Sequence, residues 1–187
     1  EKKALAQMML RARSANWKDR ALAIQHIGEL GIPQLSDSIA FLLFDSHKFV
    51  RARAAYALAS LFHSDVVGEI APALADSNQI VRTNAIAGLM RHKPFKFELI
   101  KEIFSGNINE KSLLMFVPLI FESELNDKNW KLLAGIISKQ STNIRKEFYL
   151  ELLNNKPKKV KELQKILMKN EDNDELKSII GKLYEKK

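Results

Sequence analysis

Four histidines, seven glycines and no cysteine are the first residues to test for chemistry in this 187-residue chain. Without cysteine there is no disulfide, no thiolate zinc site and no thiol nucleophile. The histidines stand at positions 26, 47, 63 and 92. No two are three or four residues apart, so no helical face carries a pair of metal ligands. On helices, His26 and His92 are expected to pack rather than to ligate. The glycines are scattered and form no loop able to cradle a phosphate. No Ser-His-Asp order has local support. One constellation remains. Asp127 and Trp130 lie three apart, hence on one helical face, with Arg145 on the following helix. No cofactor is implied anywhere.

The elements that must position these residues are helices. Proline and glycine are sparse, and apolar residues recur at helical spacing rather than alternating. The chain also repeats itself. "DSHKFVRARAAYAL", residues 45–58, returns 31 residues later as "DSNQIVRTNAIAGL", residues 76–89. Stepping back 31 from Arg51 reaches Arg20, followed by Ala23 and Ile27 in the same register. Three copies are therefore expected, beginning near Trp17, Lys48 and Gln79. Each has a second short helix, near 34–44, 65–75 and 94–104. Pro72 is expected to kink its helix or delay its start. A helical hairpin cannot bury its own apolar face, but stacked hairpins can, which is how repeats of this length build a solenoid. The small residues Ala54, Ala57, Ala85 and Gly88 mark where neighbouring helices approach closely. Asn16, Ser46 and Ser77 are candidate N-caps. Asn-Trp-Lys at 16–18 and again at 129–131 suggests equivalent helix starts.

The pattern Asp-Ser-x-x-x-Val-Arg-x-x-Ala-x-x-x-Leu resembles the HEAT-like repeat family, in the short variety also found in phycobilin lyase subunits. The resemblance is clearest over residues 17–93. It implies an all-α fold, a right-handed α-solenoid of about five to six stacked helical pairs. It further implies an Asp–Arg ladder between layers, a role that falls on Asp45, Arg51, Asp76 and Arg82. Arg20 matches the Arg position, but Ser14 stands where the preceding Asp would be. The expected organisation is one solenoid domain over 1–187, regular over 17–104 and degenerate with a C-terminal cap over 105–187, as part of a longer chain. Alkylpurine DNA glycosylases are also built from such repeats, which makes Asp127, Trp130 and Arg145 a rival catalytic reading, although no family motif surrounds Trp130. A chromophore-lyase-like subunit is a further alternative that no chemistry here supports.

Solenoids bind along extended surfaces, in this family usually lined by the second helices. "AFLLF", residues 40–44, is apolar on every side, so Phe41 and Phe44 are candidate partner anchors. Lys48 and Arg53, with Arg91, Lys93 and Lys96, are candidates for a basic stripe. The net charge is +8, but it gathers at the ends. Residues 1–20 carry six Lys/Arg against two acids, and residues 156–187 carry ten Lys against six acids. The neutral middle argues against a long nucleic-acid groove. "KPKKVKELQKILMK", residues 156–169, places Val160, Leu163 and Leu167 on one side and Lys158, Lys161, Lys165 and Lys169 on the other. That reads as a capping helix. No apolar run reaches the ~20 residues of a membrane span. The expectation is a non-enzymatic scaffold that binds another protein, cytoplasmic in setting, with nucleic acid as the rival partner.

Overall fold

Helices start where local chemistry supplies a cap, and stop where it withdraws one. A computed structural model describes residues 2–61, 66–92, 94–106, 108–155 and 160–184. The described residues contain no strand. They fall into two compact units, 1–93 and 94–187.

Unit 1 opens with α1 (Lys2–Arg11) and α2 (Trp17–Glu29). The Asn16 side chain accepts the Lys18 N–H at the start of α2. Gly31, at φ 64°, reverses the chain just past its end, a backbone state that glycine adopts without a Cβ penalty. Next come a 3-10 turn (Pro33–Leu35), α3 (Ser36–Ile39) and a second 3-10 segment (Ala40–Phe44). The single helix expected over 34–44 is thus broken into three short pieces. The last piece has a consequence for the surface. With three residues per turn, positions i and i+3 eclipse. Phe41 and Phe44 therefore leave together toward solvent, 40% and 73% exposed, while Leu42 and Leu43 go into the core.

The unit continues with α4 (Lys48–Ser60), α5 (Val66–Leu74), α6 (Gln79–Leu89) and a closing 3-10 turn (Met90–His92). The long helices begin at Trp17, Lys48 and Gln79. Asn16 caps the first as expected, but the other two caps differ from those expected. His47 and Asn78 occupy the N-cap positions, each one residue beyond Ser46 and Ser77. The Asn78 side chain accepts the Ile80 N–H, whereas α4 has no side-chain cap. Pro72 does not delay α5 but sits in its last turn, and the helix ends two residues later at Leu74.

Packing between the long helices explains the small residues. A Cβ on Gly88 would lie 2.6 Å from the Ala59 Cβ and 2.6 Å from the Tyr56 carbonyl oxygen, and one on Gly28 would lie 2.8 Å from the Ala57 Cβ. Ala54, Ala57 and Ala85 are buried at the same layer boundaries. Only residues without bulk let α2, α4 and α6 approach this closely.

Unit 2 contains α7 (Phe97–Ser105), α8 (Glu110–Ile120), α9 (Asp127–Ile137), α10 (Thr142–Asn155), α11 (Val160–Asn170), α12 (Asp174–Gly181) and a 3-10 turn (Lys182–Tyr184). Within it α10 packs on α8 and α12, and α9 packs on α7 and α11. Phe116, Phe148, Leu152 and Leu176 are among the buried apolar side chains. Asn129 is the third residue of α9, which Asn126 caps. The two Asn-Trp-Lys stretches are therefore not equivalent starts. In α11, Leu163 and Leu167 are buried while Lys165 and Lys169 are exposed. Lys158, and the side chains of Val160 and Lys161, lie outside the described residues. No described helix is long and apolar enough to cross a membrane.

Candidate functional site

Two sets of side chains leave the long helices of unit 1, one at the turns and one along the exposed face. At the turns the register is 25 residues. Arg20 grips Asp45 through Nε and Nη2 at 2.7 and 2.8 Å, and Arg51 grips Asp76 at 2.7 and 3.3 Å. Each guanidinium also donates through Nη1 to two carbonyls of its own turn: Arg20 to Ser14 and Ala15, Arg51 to Asp45 and Ser46. Each carboxylate accepts a backbone N–H two residues on, Asp45 from His47 and Asp76 from Asn78. One arginine thus fixes both its own turn and the next layer.

This geometry corrects the sequence reading at both ends. An arginine pairs with the aspartate of the following layer, so Arg20 has a partner although no Asp precedes it. Ser14 takes over part of the missing role, its hydroxyl accepting the Asn16 N–H at 3.2 Å. Arg82 holds its own turn through the Asp76 and Ser77 carbonyls. It meets no carboxylate among the described residues, and its Nε is buried without a hydrogen-bond partner. Arg82 therefore clamps its own turn, and the position 25 residues ahead of it, 107, lies outside the described residues.

Burial alone would push the Asp45 carboxyl up. The Arg20 guanidinium and the His47 N–H outweigh it and hold the group below the usual carboxylate range. Asp76 follows the same balance, with Arg51 and the Asn78 N–H overcoming burial.

Along the exposed face the register is 31. A groove of about 550 Å³ opens over α2, α4 and α6, lined among others by Gln25, Arg53, Tyr56, Asn84 and Arg91. Lining residues recur at this spacing: Gln25 and Tyr56; Arg53 and Asn84; Glu29, Ser60 and Arg91. Gln25 donates to Glu29 at 2.9 Å and accepts from Arg53 Nη1 at 2.7 Å. Arg91 Nη1 points to the Tyr56 hydroxyl at 3.4 Å. Arg91 is brought there by its neighbour. A ring nitrogen of His92 bonds the Ala59 carbonyl at 2.8 Å, tying the closing turn to α4.

The groove lies on the first helices of the repeats rather than the second ones. The short, broken second element after α2 offers no continuous wall, whereas the glycine contacts draw the long helices together. Of the partner residues expected from sequence, Arg53 and Arg91 both line the groove. Phe41 and Phe44 sit on the broken second element, where Arg13 lies 4.6 Å over the Phe41 ring. Lys48 sits at the turn, over Phe49. Lys96 belongs to unit 2, and Lys93 is outside the described residues. Gln25, Glu29, Tyr56 and Asn84 were missed. Their signal was the 31-residue spacing on the exposed face, where composition varies and only position repeats.

In unit 2 the glycosylase-like trio is not assembled. Trp130 packs on Phe121 with ring centroids 5.4 Å apart, beside a cleft of about 500 Å³ that also contains Asp127, Glu124 and Glu162. The described lining has more acids than bases, poor chemistry for a nucleic-acid backbone. Arg145 is engaged elsewhere. It grips Glu171 at 3.0 and 3.1 Å and holds its own turn through the Gln140 carbonyl. This is the Arg–carboxylate rung again, with a register of 26 and Glu in place of Asp. The Tyr149 hydroxyl donates to the same carboxylate at 2.8 Å. Burial, then that bond, raises the phenol's pKa.

Residues 3–90 match the family model described as HEAT repeats. No curated protein matches the chain.

Proposed function

From the premise that residues 3–90 belong to the HEAT-repeat family, we propose that the chain is a non-catalytic scaffold that binds another protein along the groove of unit 1. HEAT repeats commonly serve as surfaces for protein interaction, and their all-helical fold is typically non-catalytic. The observation that carries the reading is the groove itself. The described lining combines polar side chains from all three long helices, Gln25 and Glu29 on α2, Arg53, Tyr56 and Ser60 on α4 and Asn84 on α6, in a concavity that the ladder leaves untouched. The mechanism is shape and charge complementarity to a partner segment lying across the layers.

One observation favours nucleic acid as the rival partner. Trp17 and His47 stack with ring centroids 3.8 Å apart, Phe49 is 5.9 Å from Trp17, and Lys18 and Lys48 flank the rings. Bases stack on such platforms.

A photo-crosslinking amino acid at position 56 separates the two. The scaffold reading expects a discrete protein adduct from position 56 and none from an equivalent probe at exposed Leu10, together with DNA and RNA binding that disappears between ~50 and ~200 mM salt. Nucleic-acid binding that survives the higher salt, with no protein adduct, would overturn it.

A further inference from the structure

We infer that the segment bound in the unit 1 groove is acidic, with a carboxylate seated between Arg53 and Arg91. This rests on the scaffold reading and names the chemistry of its partner. The arginines of this protein divide by what they hold. Arg20, Arg51 and Arg145 each carry a carboxylate in bidentate geometry. Arg53 and Arg91 carry none among the described residues. Their hydrogen bonds run to a neutral amide oxygen and a neutral hydroxyl, and the second is long at 3.4 Å. Both side chains are exposed, and both line one concavity. An exposed arginine alone on a convex surface is satisfied by water. Two that converge in a groove raise the local positive potential, because the low-dielectric walls focus the field.

The groove's own acid does not cancel this charge. Glu29 accepts from Gln25, which in turn accepts from Arg53. The three form a chain in which Gln25 separates the carboxylate from the guanidinium. A partner carboxylate would displace the Gln25 oxygen from Arg53 and exchange a neutral acceptor for a charged one, about twice as strong. Tyr56 and Asn84 stand beside it to receive the polar backbone of an extended segment.

The probe is a fluorescent hexaglutamate peptide, with hexaglutamine as the uncharged control, titrated by anisotropy at ~100 mM salt. Hexaglutamate is expected to bind and hexaglutamine not to. Arg53→Gln and Arg91→Gln should each weaken binding about tenfold, whereas Lys48→Gln, outside the groove, should change it less than about twofold. Gln25→Glu supplies a second route. It places an internal carboxylate against Arg53 and should weaken the peptide without removing an arginine. Equal losses for Lys48→Gln and Arg53→Gln would show diffuse attraction to a +8 protein and overturn the inference, as would equal binding of both peptides or no binding of hexaglutamate. If the position-56 adduct forms but Arg53→Gln leaves its yield unchanged, the acidic segment is wrong and the scaffold stands. If no adduct forms at all, the scaffold reading fails.

Discussion

Arg51 and Arg53 leave the same helix two residues apart and meet opposite surroundings. Arg51 turns toward the inter-layer turn, where its side chain is 19% exposed and carries Asp76. Arg53 turns onto the exposed face and reaches only the Gln25 amide. The same side chain therefore does two jobs in one unit, and what separates the jobs is whether a carboxylate from the next layer arrives. The buried edge makes the layers cohere, and the exposed face is left charged for something outside the chain. Unit 2 repeats the first device in deeper form, since Glu171 has no exposed side-chain surface and is shared by Arg145 and Tyr149.

The comparison can be broken in graded steps. The largest expected effect is Arg145→Met, which leaves the fully buried Glu171 carboxylate with the Tyr149 hydroxyl and the Asp172 and Asn173 N–H groups but without its guanidinium, and should cost about 3–5 kcal/mol in chemical denaturation. Arg51→Met leaves Asp76 without its guanidinium, but that carboxylate is 10% exposed where Glu171 has no exposed side-chain surface, so a smaller loss of about 2–3 kcal/mol is expected. Gly88→Leu drives a side chain into Ala59 and the Tyr56 carbonyl and should cost at least the ~1–3 kcal/mol of ordinary overpacking. Arg82→Met removes a turn clamp but strands no carboxylate among the described residues, so about 1 kcal/mol is expected. A loss for Arg82→Met equal to that for Arg51→Met would place Arg82 back among the rungs.

The ladder also sets a pH dependence. Asp45 and Asp76 have lowered values in the folded protein, so the unfolded chain takes up protons first as pH falls. Their contribution is fully present above the ordinary aspartate value of about 3.9 and is lost as pH falls below it. Melting curves from pH 7 to pH 3 should show a decline at the acid end that is shallower in an Asp45→Asn, Asp76→Asn double variant. A double variant as acid-sensitive as the parent would mean that other carboxylates govern the decline.

How much of this was legible follows the same division. The long helices and the 31-residue register could be read from Val50, Arg51 and Ala54 and their copies, because a buried layer constrains residue type. The partner of each rung was harder. It sits 25 residues ahead rather than in the adjoining turn, and no spacing rule tells forward from backward pairing. The Arg145 rung was hidden twice, by Glu171 in place of Asp and by a register one residue longer. The broken second element hid in "AFLLF", where a continuous apolar run carries no period to distinguish a 3-10 segment from a helix. In the groove only Arg53 and Arg91 announced themselves, as charge. Gln25 and Tyr56 share a position but no chemistry, and only the folded face shows that they meet.

The central claim is that stability and recognition reside on opposite sides of α4. It is tested most directly by measuring melting temperature and hexaglutamate affinity together for Arg51→Gln and Arg53→Gln. The account predicts that Arg51→Gln lowers the melting temperature by several degrees and leaves affinity intact where the protein is folded, while Arg53→Gln leaves melting unchanged and weakens binding about tenfold. Parallel losses of both properties in both variants would contradict it.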